Sequence, residues 1–123
     1  MAGVVHIPWY ATVLRQESFA EQVCQLAPVA LRYGATQYSV QRSRDDRYKI
    51  TQMAWFQTKA DWYHYWDSPE MIEFRARNSG HFQIPVVYVW HDELVSGALG
   101  AQVALEPAPA PGPAPQAAPR AAV

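Results

Sequence analysis

The chain has 123 residues, half of them apolar, and a formal net charge of −1. This length predicts one domain, which would bury roughly two thirds of the surface of its unfolded chain. The scattered basic residues exclude a nucleic-acid footprint, and no apolar stretch approaches the roughly twenty residues of a membrane helix. The single cysteine, Cys24, excludes an intrachain disulfide and a cysteine-based zinc site. Because the first residues lack the features of a secretory signal, we expect a cytoplasmic protein.

The first part of the chain predicts a strand and a helix. Residues 4–14 are rich in β-branched and aromatic side chains at both odd- and even-numbered positions. This pattern suits a strand that is covered on both faces. Ser18 with Glu21 fits a capping box for the first helix. Pro28 should bend or tighten this helix, because proline removes one of its hydrogen bonds, and Gly34 should end it.

The next part predicts a hairpin, a broken helix and a last strand. Residues 36–42 and 48–56 have strand patterns on either side of a polar turn. Thr58 is typical of a helix start, and Ser68 with the proline after it indicates a fresh start. The second helix should therefore consist of two segments. A strand over residues 86–94 follows.

The composition changes abruptly at residue 100. Residues 100–123 are rich in proline and alanine and too poor in large apolar groups to offset the entropy of ordering, so we expect a disordered tail. Residues 1–99 form the domain, and their order β-α-β-β-α-β is that of an α+β, ferredoxin-like fold. Such a fold has a four-stranded antiparallel sheet with both helices on one face. Because the strands are apolar on both parities, the helix-free face also needs cover, and a homodimer would supply it.

One short motif links this element order to a known family. The segment Trp66-Asp67-Ser68-Pro69-Glu70, followed by the aromatic residues 87–90, resembles the dimeric α/β-barrel superfamily, and within it the antibiotic-biosynthesis-monooxygenase-like proteins. The resemblance covers roughly residues 4–94. It implies two subunits packed sheet to sheet, each with a pocket between its sheet and its own helices.

The resemblance also implies certain site residues, and the chain departs from some of them. Trp66 matches the tryptophan that family members use on the second helix. The asparagine that works with it has no evident counterpart, because the only asparagine, Asn78, is predicted at a helix end. Ala76 stands where haem-degrading relatives place a histidine. We therefore expect neither haem nor another cofactor.

Two groups of side chains are candidates for chemistry. His6 and His91 lie on strands that the ferredoxin-like order makes neighbours, so with Tyr10 or Asp92 they could form an acid/base pair or a weak metal site. The alternative is that each imidazole is a hydrogen-bonded sheet residue, since no spacing fixes a metal geometry. The second group contains the candidate ligand contacts, which are Trp66, Tyr10 and Trp62.

The sequence leaves two functions open. The first is a cofactor-independent, monooxygenase-like enzyme that acts on an aromatic or polyketide-like molecule in a Trp-lined pocket, without metal. The second is a non-catalytic dimeric barrel that binds a small apolar ligand or serves as an accessory protein. A deep cavity at Trp66 faced by His6 or His91 would favour the enzyme, and a filled cavity would favour the second function.

Overall fold

The computed structural model describes residues 1–99, and its elements follow the predicted order. The predicted tail, residues 100–123, lies outside the described residues. Within residues 1–99 no helix is long and apolar enough to cross a membrane. The elements are β1 (Gly3–Tyr10), α1 (Gln16–Leu26), a 3₁₀ helix (Ala27–Tyr33), β2 (Ala35–Arg42), β3 (Lys49–Phe56), α2 (Lys59–Trp66), α3 (Pro69–Arg77) and β4 (Val89–Asp92).

The four strands form one antiparallel sheet in the order β2-β3-β1-β4. The helices cover one face of it, which confirms the predicted ferredoxin-like α+β fold. Along β1 the residues alternate between buried and half-buried, because odd-numbered side chains face the helices and even-numbered ones face away. The core therefore lies between the sheet and the helices. Its largest fully buried side chains include Trp9, Trp62, Tyr65, Phe19, Phe56 and Phe74.

The first helix starts differently from the prediction and ends as predicted. No side chain caps its start at Arg15, and the hydroxyl of Ser18 donates to the Arg15 carbonyl instead, so the predicted capping box is wrong. After Leu26 the chain tightens into the 3₁₀ helix that contains Pro28. Gly34 then ends the helical segment with a φ of 97°, which confirms its predicted role.

The second helix is broken where the sequence predicts it. The hydroxyl of Thr58 accepts a hydrogen bond from the Asp61 N–H and starts α2. The hydroxyl of Ser68 accepts from the Met71 N–H at 3.2 Å and starts α3. Both caps satisfy backbone donors that a helix start leaves without partners.

The last strand is shorter than predicted. Only Val89–Asp92 pairs with β1, and the pairing stops opposite His6. Pro8 is the next residue of β1 whose backbone faces this edge, because the Tyr10 carbonyl, two residues later, accepts from the Gln83 N–H there. Proline has no N–H to donate to a neighbouring strand. Residues 83–88 therefore run past this edge without joining the sheet.

Candidate functional site

Trp66 lies at the end of α2, half-buried among other aromatic rings. Its ring centroid is 5.4 Å from that of Trp62 and 5.2 Å from that of Tyr88. The guanidinium of Arg75 stacks on the indole at 4.1 Å from its centroid, a cation–π distance. We call these four residues, Trp62, Trp66, Tyr88 and Arg75, the indole cluster.

Three elements of the fold bring the indole cluster together. Trp62 and Trp66 are four residues apart on α2 and therefore share one face of that helix. The break at Ser68 redirects the chain into α3, from which Arg75 reaches back and donates to the Trp66 carbonyl at 2.9 Å. Tyr88 comes from residues 83–88, which do not join the sheet. The cluster thus has two walls on helices and one on an unpaired segment.

Two polar groups of the indole cluster, the Arg75 guanidinium and the Trp62 N–H, lie in partly or fully buried surroundings. Partial burial lowers the pKa of Arg75, and the nearby Asp67 carboxylate opposes that shift. Trp62 is completely buried, and its indole Nε1–H has no hydrogen-bond acceptor within residues 1–99. By contrast, the Nε1–H of Trp9 donates to the Gln52 Oε1 at 3.0 Å.

The space around Trp66 is filled by side chains. The Trp62 ring lies 4.9 Å from Tyr88 and 6.3 Å from Tyr65, measured between centroids, and Trp66 lies 6.1 Å from Trp9. These are packing distances for aromatic pairs. A molecule can therefore reach the packed side of the Trp66 ring only if one of these rings moves, whereas part of the half-buried ring is accessible as it stands.

A cavity between α1 and α3 is lined by polar residues and shares no lining residue with the indole cluster. It measures about 310 Å³, and Asn78 lines it at the end of α3. The Asn78 side chain is buried and donates to the Phe74 carbonyl at 3.0 Å. Asn78 therefore occupies the helix-end position predicted from the sequence, and its amide is used there. The cavity is lined by Ser18, Glu21, Gln22, Arg77, Asn78 and His81.

His6 and His91 lie side by side, as the strand order predicts. Their ring centroids are 4.4 Å apart on the helix-free face of the sheet. Partial burial, with a smaller contribution from His91, lowers the pKa of His6. No cluster of three or more His, Cys, Asp or Glu side chains that could hold a metal ion occurs within residues 1–99. The pair and Trp66 lie on opposite faces of the sheet.

The remaining predicted ligand contact, Tyr10, also lies on the helix-free face. Its hydroxyl donates to the Asp46 carboxylate, and this hydrogen bond raises the pKa of Tyr10. Along β1 it is four residues, or about 13 Å, from His6. The structure thus brings Trp66 and Trp62 together and separates both from Tyr10 and from the histidine pair.

The short motif around Trp66 has a largely structural explanation. Ser68 caps α3, and Glu70 accepts a hydrogen bond from the Tyr33 hydroxyl at 2.6 Å. This bond lowers the pKa of Glu70 and ties the 3₁₀ helix to α3. Only Trp66 of the three motif positions contributes its ring to the indole cluster.

Sequence reasoning did not identify two members of the indole cluster, Tyr88 and Arg75. The spacing of nine residues between Trp66 and Arg75 indicates a contact only if the bend at Ser68 is known. Tyr88 was predicted inside a strand that is apolar at both odd and even positions, so the sequence did not fix which face it occupies. Neither residue had a local signal for a ligand site.

Comparisons with known proteins agree on the fold. No protein-family model matches the chain, and no curated protein matches it. Among solved structures, a protein of Nitrosomonas europaea assigned by its name to the antibiotic biosynthesis monooxygenases is similar, with a TM-score of 0.69 and 16% identity over 76% of this chain and 90% of that one. Rv0793 from Mycobacterium tuberculosis has a TM-score of 0.69 at 12% identity, covering 80% of this chain and 100% of that one. SnoaB, a cofactor-independent oxygenase from Streptomyces nogalater, has a TM-score of 0.65 at 9% identity, covering 77% and 95%.

These identities are low, so the comparisons establish the fold and leave activity to the residues of the site. The chain has the ferredoxin-like fold of the antibiotic-biosynthesis-monooxygenase-like proteins, and the resemblance inferred from its sequence is confirmed at that level.

Proposed function

We propose that this protein binds a planar, largely apolar organic molecule at the indole cluster. The observation that carries the proposal is the half-buried Trp66 ring beside the fully buried Trp62, whose N–H has no acceptor within residues 1–99. Flat aromatic faces favour flat ligands, and each stacked pair contributes about 0.5–1.5 kcal/mol beyond burial. Ligand pockets are typically apolar with a few polar groups that fix orientation.

Residues 83–88 supply the entry route in this proposal. Ile84 and Val87 are 81% and 62% exposed, and Tyr88 is the member of the segment that lies on Trp62 and Trp66. The Gln83 N–H bond to the Tyr10 carbonyl holds one end of this segment, and Val86 and Tyr88 pack on the core. Residues 84–88 belong to no strand of the sheet, so their opening breaks side-chain packing and leaves the strand pairing intact. Outward movement of Tyr88 would expose the indole faces while the sheet and helices stay in place.

The binding proposal is tested by titration of planar aromatic probes with the wild type and with Trp66→Ala. Loss of stacking should weaken binding about tenfold, before any loss of apolar area is counted. Tyr63→Ala is the matched control, because Tyr63 lies on the same helix and is 41% exposed on its outer side. Equal affinity of wild type and Trp66→Ala would remove Trp66 from the site.

A second candidate function is cofactor-independent oxygenation of the bound molecule. It is favoured by the fold shared with SnoaB, whose name describes that activity, and by the match of Trp66 to the family motif. The filled interior and the distance of both histidines from Trp66 favour binding without catalysis. Oxygen consumption with a hydroxylated aromatic probe in cofactor-free buffer distinguishes the two: uptake that Trp66→Ala abolishes assigns catalysis, and binding without uptake assigns a binding protein.

We also propose that two chains associate through the helix-free face of the sheet. Val4, Met53 and Trp55 lie half-buried on this face, where no helix within residues 1–99 packs. Of the residues that follow β4, Glu93 and Ser96 line a cavity together with Trp55. A stable interface there should bury more than roughly 1,500 Å² in total. Light scattering at micromolar concentration should report twice the chain mass, and a monomer would contradict the association.

A further inference from the structure

We propose that the cavity between α1 and α3 binds a small zwitterion, a free α-amino acid with a polar side chain. Glu21 on one wall contacts its ammonium group, and Arg77 on the other contacts its carboxylate. The volume of about 310 Å³ is at the lower end of the range for ligand sites, which suits a small molecule. The lining residues are not those of the indole cluster, so this site is independent of the function proposed above.

The two walls of the cavity carry opposite charges that do not neutralise each other. Glu21 on α1 and Arg77 at the end of α3 both line it, yet Glu21 has no ion pair with any residue within 1–99. The only ion pair of Arg77 within these residues is with Glu73, on the same helix, at 3.5 Å. Both partners of that pair are more than half exposed, so it contributes little and leaves other guanidinium donors available.

A second guanidinium lies next to the lining. The Arg15 Nη1 is 3.0 Å from the Nε2 of His81, which lines the cavity. Because a guanidinium can only donate, the His81 Nε2 accepts this hydrogen bond. Arg15 has no ion pair within residues 1–99, so its charge has no counter-ion among them.

These charges favour a zwitterion over simpler ions. A dianion would be repelled by the Glu21 carboxylate, and a simple cation would be repelled by the guanidinium groups. A molecule with one ammonium and one carboxylate group gives each charge a partner, and carboxylates form strong hydrogen bonds with guanidinium groups.

Two amide side chains in the lining indicate what else the ligand carries. Asn78 is only 3% exposed, and its Nδ2 donates to the Phe74 carbonyl, while no donor within residues 1–99 contacts its Oδ1. The Gln22 Oε1 accepts from Arg77 at 3.4 Å, and the Gln22 Nε2 has no acceptor within the same residues. One available acceptor and one available donor match the amide of a glutamine or asparagine side chain.

The test compares L-glutamine with two analogues that each lack one charged group. These are 4-carbamoylbutanoic acid, without the ammonium group, and 4-aminobutanamide, without the carboxylate. Wild type should bind L-glutamine about tenfold or more tightly than either analogue, the ratio that one charged hydrogen bond provides. Glu21→Gln should lose the preference over the acid and keep that over the amine, and Arg77→Gln should do the reverse. Glu17→Gln, on α1 but outside the lining, is the control and should keep both preferences.

Side-chain amide signals in ¹H–¹⁵N spectra of wild type report where L-glutamine binds. Those of Gln22 and Asn78 should move, and the indole signals of Trp62 and Trp66 should stay in place. Equal affinity for the three probes, no saturable binding up to about 10 mM, or movement of the indole signals alone overturns the proposal. A wild-type preference that both cavity variants retain also overturns it. The aromatic probes test the indole cluster separately, so either site can fail while the other stands.

Discussion

The aromatic layer between the sheet and the helices has a buried tryptophan at each of two ends. The two differ in whether the indole N–H has a hydrogen-bond acceptor within residues 1–99. At one end the Trp9 N–H donates to Gln52, which donates to the Tyr65 hydroxyl, which in turn donates to the Leu26 carbonyl. At the other end Trp62 is equally buried, and its N–H has no acceptor within residues 1–99.

In the binding proposal, the first end serves stability and the second serves binding. A complete buried hydrogen-bond chain fixes one arrangement of the core. An incomplete one, covered by the unpaired residues 83–88, costs stability and keeps a donor available. Violations of otherwise general packing rules are expected at functional sites.

The largest effect on stability should follow from breaking the hydrogen-bond chain between Trp9 and Tyr65. Gln52→Leu removes the acceptor of the Trp9 N–H and the donor to Tyr65, which leaves two buried polar groups without this partner. At about 1–3 kcal/mol each, the loss of unfolding free energy should reach about 2–6 kcal/mol. For a domain of this size the melting temperature should fall by about 10 °C or more. Gln37→Leu, on an exposed position of β2, is the control.

A loss below about 3 °C for Gln52→Leu would contradict the structural role of this hydrogen-bond chain. Replacement of Trp62 by 3-benzothienylalanine keeps the ring shape and exchanges the N–H for sulfur. This variant should have a melting temperature equal to that of wild type or higher. The two substitutions together separate a donor that stabilises the fold from one that does not.

A smaller effect is expected on the helix-free face, where acid should weaken the proposed dimer. The pKa of His6 lies below its usual 6.5, so the unfolded chain takes up the proton at higher pH than the folded one. The fold stability associated with neutral His6 is therefore lost as the pH falls from 6.5 through the lowered pKa. A dimer that covers this face would desolvate His6 further, so protonation should oppose association in the same direction. The residues directly opposite His6 on the neighbouring strands are Met53 and Val89, and its ring neighbour is His91; none of the three is a carboxylate.

Light scattering at pH 7.5 and pH 5 measures this effect. The dimer should be less populated at pH 5, and His6→Asn should reduce the dependence, while His64→Asn, on an exposed position of α2, should not. The aromatic layer contains no histidine at either end and should respond little over this range. An equal dimer fraction at both pH values would contradict the prediction.

Most of the fold could be predicted from the sequence because its signals are local. Thr58 and Ser68 are helix starts with their own hydroxyl acceptors, and Gly34 supplies a positive φ that other residues avoid. The exceptions were the start of α1, which has no side-chain cap, and β4. The latter is cut short by the missing N–H of Pro8 on a different strand, which no pattern within residues 86–94 contains.

The site could be predicted less well, for the same reason. Trp62 and Trp66 share a helix face and were recognisable together, and the strand order brought His6 near His91 as expected. Whether the histidines faced Trp66 depended on which alternate positions of β1 and β4 point toward the helices. The sequence did not decide this, because both strands are apolar at odd and even positions. The unpartnered N–H of Trp62 depends on every neighbouring ring, and only the packed structure reveals it.

The most direct test of the account compares hydrogen exchange at the two buried indoles, Trp9 and Trp62, by NMR. Both are 0% exposed, so burial protects both, and the Trp9 N–H has the additional protection of its hydrogen bond to Gln52. If residues 83–88 open to admit a ligand, the Trp62 N–H should exchange at least about tenfold faster than that of Trp9, whose release requires disruption of the core. A bound planar probe should slow the exchange of Trp62 alone. Equal rates at the two indoles, unchanged by any probe, would contradict the claim that this end of the aromatic layer is a ligand site.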